Sequence, residues 1–596
     1  RDYKVTGVQT CALPICQHSL IMDSNPLERE RGITILAKNC AVTYNALDGN
    51  AYRINILDTP GHADFGGEVE RVLRMADGCC LLVDSSEGVM PQTKFVLGKA
   101  LELGLVPVVI VNKIDRPDQR VQEVIHEVFD LLVELGAEEL ALDFPIIYCC
   151  GREGWGSSQW PIPDPAPKTL RDVFEAIVKH VPAPPADTTK PLQLLITNID
   201  YNEYVGRIGI GRVFNGTIKA GQQLCVIKRD GKQVITKPSQ LLQFVGLKRT
   251  EVESVEAGDL CAVVGLSSVD IGDTLADPEN PVALPPVTVD EPTMTMLFKI
   301  NDSPFAGQDG DYVTSRQIRE RLYRELESNV AMRIAQGRTS DEFMVSGRGV
   351  LSLGILIETM RRESFEIQVG KPEVIIKQID GIDHEPIEEL VIDTTTDTVG
   401  PVMELVGQRK GELKKMEHRG TTGSHLKFEI PSRALIGLRG KILTATQGEA
   451  IMHHSFLRFE PVSGEIPHRQ AGVLISIETG AVTTYALREL AERGVMFVKP
   501  GDKVYAGQIV GEHNRDNDLT VNVTRLKHLD NMRAASKEAT VVLKAPRQMS
   551  LESALEYIED DELVELTPKN IRIRKKMLDE SARRRADRQA KDKDAD

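Results

Sequence analysis

The ten residues Arg53–His62, RINILDTPGH, decide the fold. The apolar run Ile54–Leu57 reads as a strand that delivers Asp58 at its carboxyl end, where an open α/β sheet presents its ligand groups. A carboxylate there can hold Mg²⁺ through water. The backbone N–H of Gly61 can approach a terminal phosphate closely because glycine has no Cβ, and His62 then sits beside an attacking water. Taken alone, the same residues also read as an Asp-Thr-Pro-Gly turn that closes a strand.

Residues 105–117, LVPVVIVNKIDRP, repeat the logic. A buried parallel-type strand, Val106–Val111, ends in Asn112, Lys113, Ile114 and Asp115. The Asp115 carboxylate can accept both N1–H and the exocyclic N2–H of guanine, which adenine does not offer in that arrangement. Lys113 would lie along the base and ribose, and Asn112 would tie the loop to its neighbours. An isolated Asn-Lys-x-Asp is weak; downstream of Asp-Thr-Pro-Gly-His, with a strand and a helix between them, it reads as a guanine nucleotide site. A third segment, Glu28–Ile35 (ERERGITI), is a charged loop before an apolar strand. Thr34 there could offer its hydroxyl to Mg²⁺ and its N–H to a γ-phosphate, as in a switch loop ordered by a triphosphate. No Gly-Lys-Ser/Thr occurs in the first 60 residues, so the phosphate-cradling loop GxxxxGK[ST] is missing and nucleotide binding is expected to be impaired. Residues 1–16, RDYKVTGVQTCALPIC, have no structural period and resemble a translated sequencing adapter. They are expected to be non-native.

The rest of the chain bounds the class. At about 150 residues per domain, 596 residues imply about four domains. A net charge of −16 argues against coating nucleic acid by bulk charge. No apolar run approaches the ~20 residues of a membrane span. Nine cysteines without CxxC spacing read as reduced cytosolic thiols. His453, His454 and His468 have no spacing that supports a shared metal site. Asp560, Asp561 and Glu562 read as a solvated turn, and Ile571–Lys576 (IRIRKK) alternates like an edge strand of structural role. The basic tail from Lys569 could track phosphates or be solvated.

The expected organisation is a multidomain α/β and β chain. Residues 17–185 form a P-loop-type GTPase α/β domain lacking its first strand and P-loop, closed by the proline-rich linker Val181–Pro191. Residues 191–288, with short Val/Ile runs and Gly turns, predict a β-barrel. Residues 290–372 and 373–462 each read βαββαβ, two ferredoxin-like α+β modules. The first places helices at Thr314–Ser328 and Val350–Arg362, and the second at Pro401–Lys414 and Arg433–Thr446. Residues 463–596 form a mixed β-rich C-terminal domain with a helix at Thr484–Arg493.

The strings RGITI, DTPGHADF and NKIDRP resemble the translational GTPases, the group that includes elongation factors G and Tu. Only a short stretch, Gly370–Pro386, separates the two ferredoxin-like modules, where elongation factor G inserts a whole domain. That leaves the relatives lacking the insertion, the LepA type and the BipA/TypA family. Residues 431–450 (PSRALIGLRGKILTATQGEA) and 511–537 look like the latter. The resemblance implies GTP and Mg²⁺ as cofactors, with Thr34 and Asp58 at the metal, Gly61 at the γ-phosphate and His62 at the water. It implies Asn112, Lys113, Ile114 and Asp115 at guanine, with Cys150 and Gly151 where the family usually has Ser-Ala. The same resemblance implies that residues 1–16 stand in place of the family's first strand and phosphate-cradling loop. It also implies a monomeric, cytoplasmic, ribosome-associated GTPase with no membrane contact, acting in large-subunit assembly and stress adaptation. Its partners would be the 70S ribosome, the large subunit with its rRNA, and the acceptor end of an A-site tRNA. The RNA-contacting set would be Asn514, Arg515, Asn517, Asn522, Arg525, Lys527, Asn531, Arg533 and Lys537, since amides and guanidiniums suit phosphate, ribose and base edges. Ser346–Gly349 (SGRG) matches the family, but Val350-Leu351-Ser352 replaces its usual Glu-Leu-His. The alternatives are a non-enzymatic ribosome- or RNA-binding factor and a LepA-like elongation factor.

Overall fold

The structure, a computed structural model, describes residues 22, 25–32, 34–61, 65–136, 144–202, 205–266, 269–285, 291–329, 331–419, 423–464, 466, 469, 471–526 and 543–593. It divides into two compact units. One holds the chain up to Glu291 with Glu325–Ala331 and His453–Ser455, and the other holds the remainder.

In the first unit, strands Gly78–Asp84, Val106–Asn112 and Ile146–Cys150 run parallel, and Trp155–Ser157 pairs antiparallel with the last. Val108, Val109 and Val111 are wholly buried, which is why this segment reads as continuously apolar rather than alternating. Helix Val121–Glu134 lays Val121, Val124, Val128, Leu131 and Leu132 on the sheet, the stripe that a 3.6-residue period places on one face. The antiparallel hairpin Lys38–Asn45 with Ala51–Asp58 forms its own two-stranded sheet, with Lys38 opposite Asp58.

Eight of the strands between Gln193 and Ala276 form one antiparallel sheet, and Thr217–Lys219 pairs with Ser254–Glu256 apart from it. The barrel expected there is not closed, since no strand pair joins the ends of that sheet among the described residues. This sheet packs on the nucleotide-type domain within the same unit. Ala41, Val72 and Met75 share a core with Ile208, Ile210 and Phe244. The buried Arg212 donates to the Met75 carbonyl at 3.1 Å and pairs with Asp77 at 2.7 Å.

In the second unit, Arg333–Gln336, Glu342–Gly347, Met294–Ile300 and Ile367–Val369 lie side by side in that order, with helices Ser315–Ser328 and Val350–Arg362 as the connections. Ile367–Val369 continues into Glu562–Leu566, Ile571–Lys575, Gln508–His513, Val473–Ser476 and Leu519–Val521. The C-terminal segment thus extends an existing sheet instead of building a separate one. A second sheet contains Ile382–Thr395, Gly423–Pro431, Glu412–Arg419 and Ile451–Pro461.

Several expectations are corrected. The helix predicted at Pro401–Lys414 spans Val399–Gly407 and gives way to the strand from Glu412, with glycines at 407 and 411 flanking the change. The helix predicted at Arg433–Thr446 is two pieces, Ser432–Leu435 and Leu438–Ala445, broken where Gly437 takes φ 71°. The helix predicted to reach Arg493 ends at Leu490. Ile571–Lys575 is an interior strand, hydrogen-bonded on both sides. Glu562 is not part of a solvated turn but fully buried. It accepts two bonds from Arg469, at 2.8 and 2.9 Å, and one from the Lys575 ammonium at 3.0 Å.

No helix among the described residues is long and apolar enough to cross a membrane, and these residues hold no cluster of three metal-ligating side chains.

Candidate functional site

Four loops at strand ends carry the candidate residues. The first precedes strand Lys38–Asn45. Asn25 caps the short helix Pro26–Arg31, and Gly32 ends it in the left-handed region at φ 65°. Glu28, fully buried, then accepts the N–H groups of Ile35 at 3.1 Å and Leu36 at 3.2 Å and pairs with Lys38 at 2.6 Å. Thr34 is therefore held on a backbone that one carboxylate pins on its C-terminal side. Because Lys38 lies opposite Asp58, this loop and the Asp58 strand end are neighbours. Glu28 is one of four consecutive charged residues, Glu28–Arg31, and nothing local in the sequence singles it out.

Burial alone would raise the Glu28 pKa, but the Lys38 ammonium and the N–H groups of Leu36, Ile35 and Asn25 outweigh it and hold the carboxyl below its ordinary range. Its folded pKa lies under its unfolded one, so its stabilisation is present above the unfolded value and is lost as pH falls through the folded one. Glu28→Gln removes the charge that the ammonium and three N–H groups share. The Ile35 and Leu36 amides are expected to exchange at least tenfold faster, read by hydrogen exchange, with little change in the strands beyond.

Asp58 ends its strand and Gly61 is exposed, with open space where a Cβ would stand. His62 lies outside the described residues. The hydroxyl of Thr34 and the carboxylate of Asp58 are hard oxygen donors, the chemistry that Mg²⁺ takes alongside water and phosphate oxygens. The donor set therefore fits that ion.

The third loop follows Val106–Asn112. The Asn112 Oδ1 accepts the Gly151 N–H at 3.0 Å, locking this loop to the one after Ile146–Cys150. A side chain at Gly151 would press on the Asn112 amide, with 3.3 Å to its oxygen. Asp115 is exposed and Ile114 buried. Burial is the main cause of the raised Cys150 thiol pKa, and a hydrogen bond to Asp115 adds to it. The structure thus brings Asn112, Asp115, Cys150 and Gly151 together as one rim.

The sequence also passed over Asp84, although CCLLVD repeats the strand-then-acid pattern of INILD. Asp84 stands opposite Asn112 in the parallel pair, and its Oδ2 lies 2.8 Å from the Lys113 ammonium.

The C-terminal amides are partly engaged inside the fold. Asn514 donates to the Glu492 carbonyl at 3.0 Å, Asn522 to Glu478 at 3.0 Å, and Arg525 pairs loosely with Glu489 at 3.5 Å. Asn514, Arg515, Asn517 and Arg525 are exposed. Lys527, Asn531, Arg533 and Lys537 lie outside the described residues.

Family models match along most of the chain. Residues 5–183 match the elongation factor Tu GTP binding domain and 206–276 elongation factor Tu domain 2. Residues 383–470 match the elongation factor G C-terminus and 471–580 the TypA/BipA C-terminal domain. A protein of Synechocystis named large ribosomal subunit assembly factor BipA is 52% identical over 563 residues, 94% of this chain and 92% of that protein. Proteins of the same name from Bacillus subtilis and Salmonella typhimurium are 50% and 49% identical, each over 96% of this chain and over 92% and 93% of their own length. With an elongation factor Tu-type GTP binding domain, a TypA/BipA C-terminal domain and about half of its residues shared over nearly the full length, the chain belongs to the BipA/TypA family of translational GTPases.

Proposed function

We propose that this protein is a ribosome-associated GTPase that binds GTP with Mg²⁺, docks on the ribosome and acts in assembly of the large subunit. The observation that carries the nucleotide part is the Asn112–Gly151 lock, which joins two loops beside the exposed Asp115 carboxylate. The ribosomal part is supported by the relatives named large ribosomal subunit assembly factor.

In this reading Asp115 accepts from guanine N1–H and N2–H, Lys113 lies along the base, and Ile114 anchors the loop in the core. Cys150 and Gly151 border the base from the neighbouring strand. Thr34 and Asp58 hold Mg²⁺, which when bound neutralises charge developing on the phosphates. Gly61 offers its N–H to the γ-phosphate, and His62 orients the attacking water once the ribosome positions it. Catalysis of this kind rests on positioning and charge stabilisation. No Gly-Lys-Ser/Thr precedes Thr34, so hydrolysis by the sequence as it stands is expected to be slow. Arg515, Asn517 and Arg525, with the candidates from Lys527 to Lys537, contact ribosomal RNA and the acceptor end of an A-site tRNA from the C-terminal domain. The protein acts as a monomer in the cytoplasm.

Sedimentation through a sucrose cushion with 70S ribosomes tests the docking. More protein should pellet with a non-hydrolysable GTP analogue than with GDP. Equal recovery with GDP, with the analogue and without ribosomes would remove the ribosomal reading.

A further inference from the structure

Lys113 occupies an unusual position for its residue type. Its φ is 60°, in the left-handed region that non-glycine residues adopt at a cost, so surrounding bonds must hold it. Those bonds come from two consecutive residues, Asp84 at the end of the neighbouring strand and Ser85 just after it. Ser85 grips the backbone on both sides of the peptide: its N–H donates to the Asn112 carbonyl at 2.9 Å and its hydroxyl to the Lys113 carbonyl at 2.9 Å. Asp84 grips the side chain, with its Oδ2 2.8 Å from the Lys113 Nζ.

Asp84 is itself built in. Its side chain is only 10% exposed, and its Oδ1 accepts the Ser86 N–H and hydroxyl at 2.8 and 2.9 Å. Arg116 stands farther off, with a nitrogen 3.6 Å from Oδ2, and is drawn instead to Asp118 at 2.8 Å. Burial alone would raise the Asp84 pKa, yet Lys113 and the Ser86 donors bring it down to about 2, so the carboxylate is charged at any working pH.

We infer that the pair Asp84-Ser85 is the positioning element of the base-binding loop, with Asp84 fixing the Lys113 side chain along the slot in which the guanine and ribose lie. This rests on the guanine-site reading above. Asp84 touches no nucleotide atom and acts through Lys113, whose half-exposed side chain would otherwise sample many rotamers at an entropic cost to binding. Ser85 supports the same residue by stabilising its left-handed backbone.

Equilibrium titration with N-methylanthraniloyl-GDP of the full chain, its first 16 residues replaced by a segment carrying a phosphate-cradling loop, tests the inference. Asp84→Asn retains an acceptor for the Ser86 N–H and is expected to fold, but should weaken binding about 10- to 100-fold. Lys113→Met should weaken it similarly, and the double variant should be no worse than Lys113→Met alone. The preference for guanosine over inosine diphosphate should survive in Asp84→Asn, because Asp115 still reads the exocyclic amine. Unchanged affinity in Asp84→Asn, or fully additive losses in the double variant, overturns the positioning role while leaving the guanine site intact. A wild-type chain that binds guanosine and adenosine diphosphates equally overturns the guanine reading itself, and the inference with it.

Discussion

Glu562→Ala is expected to cost the second unit about 3–5 kcal/mol, because it leaves the Arg469 guanidinium and the Lys575 ammonium buried without their shared partner. Arg469 is 13% exposed, Lys575 3% and Glu562 0%. Burial would raise the Glu562 pKa, but Arg469 and Lys575 hold it below the usual range. The protein therefore keeps this contribution above the unfolded carboxyl pKa and loses it as acid protonates the group. Lys575 retains Asp561 and Asp518, both at 2.7 Å, so Arg469 bears most of the loss. Urea unfolding followed by a C-terminal probe should show a lower midpoint with unchanged slope. A midpoint shift worth less than about 1 kcal/mol would mean that water or the remaining acids replace Glu562.

The second large effect concerns nucleotide choice. In the proposed guanine site, Asp115→Asn exchanges a carboxylate that would accept two guanine N–H groups for an amide that offers one acceptor and two donors. Losing two such charge-assisted bonds is expected to weaken guanine nucleotide binding by about 10²- to 10⁴-fold. The amide can instead donate to the second carbonyl of xanthine, so xanthosine nucleotides should gain affinity in the same variant. Competition titration with the two diphosphates reads the reversal, and a parallel loss of both would show that the residue serves the loop rather than the base.

What was legible in the sequence follows from which residues carry their environment with them. Val106–Asn112 was readable because a parallel strand buried on both faces is apolar at every position. Helix Val350–Arg362 lies where its periodicity placed it. The placement of Asn112–Asp115 was readable because they end and follow such a strand. Asp58 was not placed for that reason: its strand, expected in the open α/β sheet, is the half-exposed second strand of a separate antiparallel hairpin.

Buried charges were not readable. Glu28, Glu562 and Lys575 have the composition of a surface, and only a distant partner reveals their burial. Arg469 lies 93 residues from Glu562 in sequence, and no local pattern links them. For the same reason Ile571–Lys575 resembled an edge strand: its charges are exposed in any local reading and paired only in the folded sheet. Asp84 differs, since its strand was visible and its acid lay in the expected place. What the sequence lacked was the register that sets Asp84 opposite Asn112.

The most direct measurement of the central claim is GTP hydrolysis with and without 70S ribosomes, on the sequence as it stands and on one whose first 16 residues are replaced by a segment carrying a phosphate-cradling loop. The account predicts slow turnover by the first protein and turnover by the second that ribosomes accelerate. If the second protein hydrolyses no GTP, or does so at a rate that ribosomes leave unchanged, the account of a ribosome-activated GTPase is contradicted.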